Sequence, residues 1–113
     1  MIEKTVIQYL KKKFTEIPVD AEVVKGMPDR FISVEKTGSR QLRRGIYQST
    51  LAIQSWETSR FKAAELSEKV CEVMRSLPDE ADDVSKSTGS DYDFFDTTTK
   101  RPRYQAVFEI THY

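Results

Sequence analysis

The fold of this chain is decided by the stretch Ile46-Tyr47-Gln48-Ser49-Thr50-Leu51-Ala52-Ile53-Gln54-Ser55-Trp56. It is the longest strand candidate in the sequence. Tyr47, Leu51 and Ile53 share one parity and Ala52 and Trp56 the other, and successive side chains of a strand point to opposite faces. Because both faces carry apolar side chains, the stretch predicts a central strand of a sheet. Trp56, at its end, is expected to anchor this strand to the helix that follows.

Shorter strand candidates precede the central one. Ala21–Val24 predicts a short strand, which is closed by the turn Lys25–Asp29 with its glycine and proline. Phe31–Glu35 alternates between apolar and polar residues, as a half-buried strand does. The next segment, Lys36–Gly45, is polar and strongly basic and predicts a loop between two strands. It is long for a hairpin connection, and long loops in compact domains are often functional.

Two segments have the apolar spacing of helices. The first predicts a helix that ends before Pro18, and its apolar residues are Ile2, Val6, Tyr9, Leu10 and Phe14. The second begins at the N-cap candidates Thr58 and Ser59 and ends at Pro78. Its apolar stripe consists of Leu66, Val70, Val73, Met74 and Leu77.

The last third of the chain adds two strand candidates. Val84–Thr88 predicts a weak strand, and the alternating segment Tyr104–Ile110 predicts the clearest strand of the chain. The resulting order is α-β-β-β-α-(β)-β. Runs of strands on either side of one helix predict a single α+β domain, residues 1–113, with a mainly antiparallel or mixed sheet and two helices packed on one face.

Charge and size limit the classes of function. The chain has 113 residues, enough for one domain, and its 18 basic and 18 acidic residues cancel. A dedicated nucleic-acid binder usually has a basic excess, because its affinity comes from neutralised phosphates. Balanced, dense charge instead favours a protein that meets other protein surfaces through complementary patches. No apolar run resembles a signal peptide or a membrane span, so we expect a protein made in the cytoplasm.

Residues for catalysis or metal binding are scarce. Nucleophilic catalysis needs a base beside the nucleophile, and the single histidine, His112, is the penultimate residue, where we expect it to be mobile. Cys71, the one cysteine, lies in a helical pattern and is expected to be buried. The acidic segments lack the spacing of a calcium-binding EF-hand loop, and the glycines are isolated. The sequence therefore predicts a protein that is not an enzyme and needs no metal or cofactor.

Charges of the two signs lie in separate segments. The basic segment contains Lys36 and three arginines. A second group of basic residues lies between Lys100 and Arg103. Acidic residues concentrate in Asp79–Asp83 and Asp91–Asp96. In a ring, a surface of one subunit meets a different surface of the next, and opposite charges would supply such a match. The candidate contact residues are Arg40, Arg43, Arg44, Arg101, Arg103, Asp79, Asp82, Asp83, Asp91 and Asp93.

Several stretches together resemble one known family. These are Gly26-Met27-Pro28-Asp29-Arg30-Phe31 followed by Val34-Glu35-Lys36-Thr37-Gly38, Leu51-Ala52-Ile53-Gln54-Ser55-Trp56 followed by Ser59, Ala63 and Ala64, and Arg101-Pro102-Arg103-Tyr104-Gln105. Their order and spacing are similar to those of the tail terminator, or tail-completion, proteins of long-tailed bacteriophages and prophages. The likeness spans the chain from its first helix to its last strand.

The resemblance implies a structural protein of the virion tail. Its members assemble into a hexameric ring that caps the finished tail tube, stops tube polymerisation and presents the surface to which the head docks. The implied partners are further copies of the chain, the tail-tube protein and the head–tail connector, with DNA only in passage and no membrane. In such a ring the basic segment would either contact the neighbouring subunit or line the channel, near passing DNA. The alternatives are a head–tail connector or tail-tube component, a small cytoplasmic protein-binding module, and an enzyme of unrecognised type.

Overall fold

The structure of the protein, a computed structural model, describes residues 1–22 and 28–113. Within them the elements are, in chain order, α1 (Ile2–Lys13), β1 (Val19–Asp20), β2 (Phe31–Arg43), β3 (Ile46–Trp56), α2 (Arg60–Arg75), α3 (Leu77–Glu80), β4 (Val84–Asp93) and β5 (Arg103–His112). The strands form one sheet in the order β1-β2-β3-β5-β4. β1 is parallel to β2, and the other neighbours are antiparallel. The predicted α+β class with a mixed sheet is confirmed.

The central position predicted for β3 is confirmed. β3 pairs along its length with β2 on one side and with β5 on the other. Its residues Leu51 and Ile53 are completely buried and point to the same face as the helices. Ala52 and Trp56 point to the opposite face, and they are also buried.

The main core lies between the sheet and the two long helices. α1 and α2 both pack on one face, as predicted, and their apolar stripes meet the inward side chains of β2, β3 and β5 in one cluster. The hydroxyl of Tyr9 in α1 donates a hydrogen bond of 2.9 Å to the carbonyl of Val73 in α2, and so joins the two helices. The buried helix residues are Ile2, Val6, Tyr9, Leu10, Leu66, Val70, Cys71 and Met74.

The ends of α2 follow capping rules. Ser59, one of the two predicted N-caps, accepts a hydrogen bond of 3.2 Å from the backbone N–H of Lys62. This satisfies one of the donors that a helix start leaves free. The helix ends at Arg75, slightly before the predicted stop at Pro78. Pro78 instead lies in the first turn of the short helix α3, where a missing N–H costs nothing.

The prediction of a basic loop at Lys36–Gly45 is wrong. β2 continues to Arg43, and the connection to β3 is the turn Arg44–Gly45. Gly45 has a φ of 77°, a left-handed conformation that tight hairpin turns need and glycine adopts at no steric cost. The segment contains polar residues on both faces, so it lacks the alternation that identifies a half-buried strand. It is extended because β3 supplies a pairing partner up to Ile46.

Two further boundaries differ from the prediction. The strand expected at Ala21–Val24 lies earlier, at Val19–Asp20, and Ala21 and Glu22 are not extended in the sheet. Val23 and Val24 lie outside the described residues, as does the part of the predicted turn at residues 25–27. β4 extends beyond the weak strand predicted at Val84–Thr88 and reaches Asp93.

Candidate interaction surfaces

The face of the sheet that points away from α1 and α2 is called the open face here. The strand register aligns its side chains in rows across β2, β3, β5 and β4. Its members are Phe31, Ser33, Glu35, Gly38, Arg40, Arg43, Ile46, Gln48, Thr50, Ala52, Gln54, Trp56, Arg103, Gln105, Val107, Glu109, Thr111, Lys86, Thr88, Ser90 and Tyr92.

One end of the open face contains a cluster of aromatic rings and arginines. The rings of Phe31 and Trp56 stack with their centroids 5.2 Å apart and their planes 10° apart. The guanidinium of Arg101 lies 4.9 Å from the Trp56 ring and that of Arg103 also lies 4.9 Å from it. Such contacts combine cation–π attraction with burial of the ring. As a result Trp56 is only 3% exposed although no helix covers it.

Trp56 is buried as expected, but the side chains that contact its ring differ from the expectation. It is buried, but it packs against the arginines and Phe31 rather than against α2. Arg103 is held in place by a 2.6 Å hydrogen bond from its Nε to the carbonyl of Phe94. Arg101 donates from Nη2 to the carbonyls of Pro28 and Asp29 at 3.1 and 3.3 Å. The cluster thus ties the start of β5 to the start of β2.

The middle of the open face is a polar ladder. Gln54 donates from Nε2 to Oε1 of Gln105 at 2.9 Å. Gln105 in turn donates to the hydroxyl of Tyr92 on β4, and Ser33 on β2 donates to Gln54 at 3.4 Å. The ladder crosses all four long strands. Because these side chains bond to one another, their polar groups are satisfied without an apolar layer on this part of the face.

The opposite end of the sheet is formed by the hairpin of β2 and β3, and its residues 36–47 are called the arm here. Its residues from Lys36 to Gly45 are all exposed, and the sequence has no carboxylate between Lys36 and Trp56. Lys36 is 3.8 Å from the carboxylate of Glu3, and Arg40 bonds to the side-chain amide oxygen of Gln48 at 2.9 Å. The ion pairs formed by the described residues include none of the three arginines of the arm.

The predicted basic set is therefore not one site. Arg43 pairs with Ile46 and Arg103 pairs with Trp56, so the two arginines lie at opposite ends of β3. With about 3.3 Å per strand residue, those ends are roughly 33 Å apart. Arg101 accompanies Arg103 at the aromatic cluster, whereas Arg40 and Arg44 accompany Arg43 in the arm.

The acidic set is divided in the same way. Asp79 lies in α3, and Asp82 and Asp83 form the exposed turn just before β4. This turn lies at the arm end of the sheet, because Val84 pairs with His112, which pairs with Tyr47. Asp91 and Asp93 lie further along β4, towards the aromatic cluster, and Asp93 is 3.6 Å from Arg60 of α2.

Both outer edges of the sheet have uncovered stretches. β1 covers β2 only at Ile32 and Ser33. Beyond Ser33, no strand among residues 1–22 and 28–113 pairs with the outer side of β2. The outer side of β4 likewise has no partner in that part of the chain. Unpaired edges present backbone donors and acceptors to other chains, so proteins normally cover or use them.

The position of His112 differs from the expectation. It is paired within the sheet and its Nε2 lies 2.8 Å from the hydroxyl oxygen of Ser49, an arrangement that sequence spacing could not reveal. Ser49 is only 1% exposed, so a substrate carbonyl cannot reach its oxygen without opening the sheet. Cys71 is buried as predicted, and burial, with Asp91 nearby, raises its pKa to about 11. A thiol with that pKa is a poor nucleophile at neutral pH.

A groove beside α2 and the acidic residues are the remaining places in the described chain where a chemical site could lie. A groove of about 490 Å³ lies between the end of α1 and the start of α2. It contains the ion pair of Arg30 with the buried Glu57, at 2.7 Å, and its remaining charges are mixed lysines and glutamates. Outside the undescribed residues 23–27, no three His, Cys, Asp or Glu side chains converge as metal ligands would.

Comparisons with known proteins identify no family. No family model matches the chain, and no curated protein matches it. The resemblance to tail terminators therefore stays a prediction from the sequence motifs. Across the described part of the chain, none of the helices has the length and apolar character to cross a membrane.

Proposed function

We propose that this protein is a tail terminator: a subunit of a ring, of six copies if it follows the family that it resembles, that caps the tail tube of a long-tailed bacteriophage. The observation that carries the proposal is the pair of uncovered sheet edges, on β2 and on β4. The order and spacing of the sequence motifs support the family. The ring would bind the tail-tube protein on one side and the head–tail connector on the other.

Strand direction favours head-to-tail assembly through these edges. β2, β3, β5 and β4 alternate in direction, so β4 runs opposite to β2. Rotation about an axis along the strands leaves their directions unchanged. The β4 edge of one copy would therefore meet the β2 edge of the next in antiparallel orientation, and the sheet would continue. Closing it into a ring removes all of these edges at once.

Charge supports the same contact. The arm contributes the available part of the β2 edge, because β1 covers the beginning of that strand. Arg43 and Arg44 at the tip of the arm, and Asp82 and Asp83 before β4, all lie at the arm end of the sheet. In neighbouring copies related by rotation about an axis along the strands, without a shift along it, the arginines of one copy would therefore lie beside the carboxylates of the next. Guanidinium groups bind carboxylates well because both are planar and can share two hydrogen bonds.

The experiment measures the mass of the assembly by native mass spectrometry and light scattering. We expect the wild-type chain to form rings in a concentration-dependent equilibrium. The variant Arg43→Glu with Arg44→Glu should stay monomeric, and so should the variant Asp82→Lys with Asp83→Lys. An equal mixture of the two variants should assemble again. In a ring in which they alternate, the new acidic groups of one variant lie beside the new basic groups of the other, and the unchanged arginines lie beside the unchanged aspartates.

A matched control removes the same amount of basic charge elsewhere. Lys11→Glu with Lys12→Glu changes the exposed end of α1 and should leave assembly unchanged. A wild-type chain that is monomeric at every concentration would overturn the ring and favour a stand-alone binding module. Rings that form despite the arm substitutions would overturn the proposed contact.

A further inference from the structure

The chain has no net charge, but its basic and acidic residues are unequally divided between the two sides of the sheet. The register and the aromatic contacts assign five cations to the open face, and they are Arg40, Arg43, Lys86, Arg101 and Arg103. They assign only two carboxylates to it, Glu35 and Glu109. Since the chain is neutral overall, the remaining surface has an excess of acidic groups. The sum of charges therefore conceals a positive face.

No carboxylate in the described part of the chain lies within ion-pair distance of the open-face cations. Arg103 is near the Asp96 carboxyl, whose pKa is lowered by the hydrogen bond from Thr99 and, to a smaller extent, by Arg103. The carboxylate partners found in the described residues belong to Lys13, Arg30, Lys36 and Arg60, none of which is a member of the open face. Arg40 and Lys86 are exposed and occupy one row across the sheet, separated by the uncharged residues Gln48 and Thr111. Cations without a carboxylate partner attract an anion that extends over the same distance.

We propose that the open face binds the phosphate backbone of duplex DNA, weakly and without sequence preference. The cations lie in two groups on the face. Arg40 and Lys86 are level with Gln48, and Arg101 and Arg103 lie at Trp56, eight strand residues or roughly 26 Å away. Duplex DNA has one phosphate charge per about 1.7 Å of its axis, so both groups can contact phosphates of the same duplex. The polar ladder between the groups consists of side chains of the sheet and not of a helix that could enter a groove and read bases.

A protein partner fits this face less well. Interfaces between proteins are anchored by exposed aromatic and apolar residues near their centre. Here Phe31 and Trp56 are covered by their own arginines, and of the large exposed apolar side chains only Tyr92, on the edge strand, is assigned to this face by the register. A face with unpaired charge and no apolar anchor favours a polyanion.

This inference deepens the proposed ring, because a sheet that closes with its bulky helices outside places the open face around the channel. It does not depend on the ring, since a monomer has the same face. The probe is a fluorescein-labelled duplex DNA two helical turns long, and binding is followed by fluorescence anisotropy over a series of NaCl concentrations. Assembly of the same samples is measured by light scattering.

We expect weak wild-type binding whose logarithm falls linearly with the logarithm of salt concentration. The variant Arg40→Gln with Lys86→Gln removes two contacts, and each contributes about 0.9 to the slope, so the slope should become shallower by about 1.8. The control Lys11→Gln with Lys12→Gln removes the same charge from α1 and should keep the wild-type slope. Circular dichroism verifies that both variants are folded.

The outcomes separate this inference from the ring. If the control loses as much binding as the open-face variant, or if the wild-type chain does not bind DNA at low salt, the inference is overturned. If the open-face variant fails to assemble while DNA binding is unaffected, the face is a contact between copies and the inference is again wrong. If the open-face variant has the expected shallower salt slope but the wild-type chain never forms rings, the DNA-binding face is supported and the ring is rejected.

Discussion

The two faces of the sheet are built from the same strands and are stabilised in different ways. On the helix-covered face, Leu51, Ile53 and Phe108 are completely buried in an apolar layer. On the open face, the neighbouring positions of the same strands form the polar ladder, and Trp56 is buried by arginine side chains. One face excludes water with helices, whereas the other buries its largest ring with the apolar planes of charged groups.

This difference shows that burial and apolar surroundings are separate properties. A guanidinium is planar and weakly hydrated, so it can stack on an aromatic ring while keeping its edge in water. The open face therefore has a small second cluster at one end and stays polar elsewhere. It can present charge to a partner while the helix-covered face provides the stability.

The largest expected effect tests whether the cluster of Trp56 with Phe31 and the two arginines stabilises the fold. Trp56→Ala removes the stacking with Phe31 and with both arginines, and should lower the free energy of unfolding by about 3–5 kcal/mol. Phe108→Ala on the helix-covered face should cost a similar amount. Both are measured by urea unfolding at neutral pH. A loss below about 1 kcal/mol for Trp56→Ala, as at exposed positions, would show that the arginines do not stabilise the ring.

An intermediate effect compares adjacent residues that face opposite sides. A Cβ on Gly89, which faces the helices, would overlap the carbonyl oxygen of Val107 and lie 2.7 Å from the ring of Phe108. Gly89→Ala should therefore destabilise the protein by about 1–3 kcal/mol, the cost of overpacking a core.

The matched control for this prediction is Ser90→Ala. Ser90 is exposed on the open face, so its substitution should change the free energy of unfolding by no more than about 0.5 kcal/mol. Equal effects at the two positions, measured by denaturant melts, would contradict the assignment of the faces.

The smallest effect concerns the tyrosine between the two helices. Burial, with Glu80 nearby, raises the pKa of Tyr9 from 10.0 to about 12. Because the folded protein favours the neutral phenol, this contribution to stability is complete below about pH 10 and is lost as the pH rises towards about 12. Tyr9→Phe removes the hydrogen bond to Val73, which should cost about 1 kcal/mol at neutral pH.

Measuring the effect of Tyr9→Phe at several pH values tests whether it comes from the neutral phenol. The difference in unfolding free energy between wild type and Tyr9→Phe should narrow between about pH 10 and pH 12. Tyr113→Phe removes a phenol that is mostly exposed and should leave the wild-type curve in place. A difference that stays constant over this range would show that the Tyr9 hydroxyl is not held in its neutral form.

Much of the fold could be predicted because its signals are local. The alternation in Tyr104–Ile110 and the helical spacing in α2 depend on residues close together in the chain, and β3 was assigned correctly as the central strand. The arm could not be predicted from Lys36–Gly45, because a strand with two polar faces has no alternation. It is extended only through its pairing with β3, and that pairing partner is chosen in three dimensions.

The candidate residues show the same limit. Their types were visible in the sequence, and single charges such as those of Arg40 and Asp82 are exposed as expected. Their grouping was not visible. Arg103 was combined with the arm because both are basic, although strand pairing separates them by the length of β3. The contact of His112 with Ser49 also required the pairing of β3 with β5.

By itself, the sequence determined the α+β class, the two long helices, the central strand and the scarcity of residues for catalysis, because these depend on composition and on short-range periodicity. Only the tertiary structure decided which charges share a face, which sheet edges stay uncovered and how Trp56 is buried. Those properties depend on strand register and on the side of the sheet that the helices occupy, and residues far apart in the chain set both.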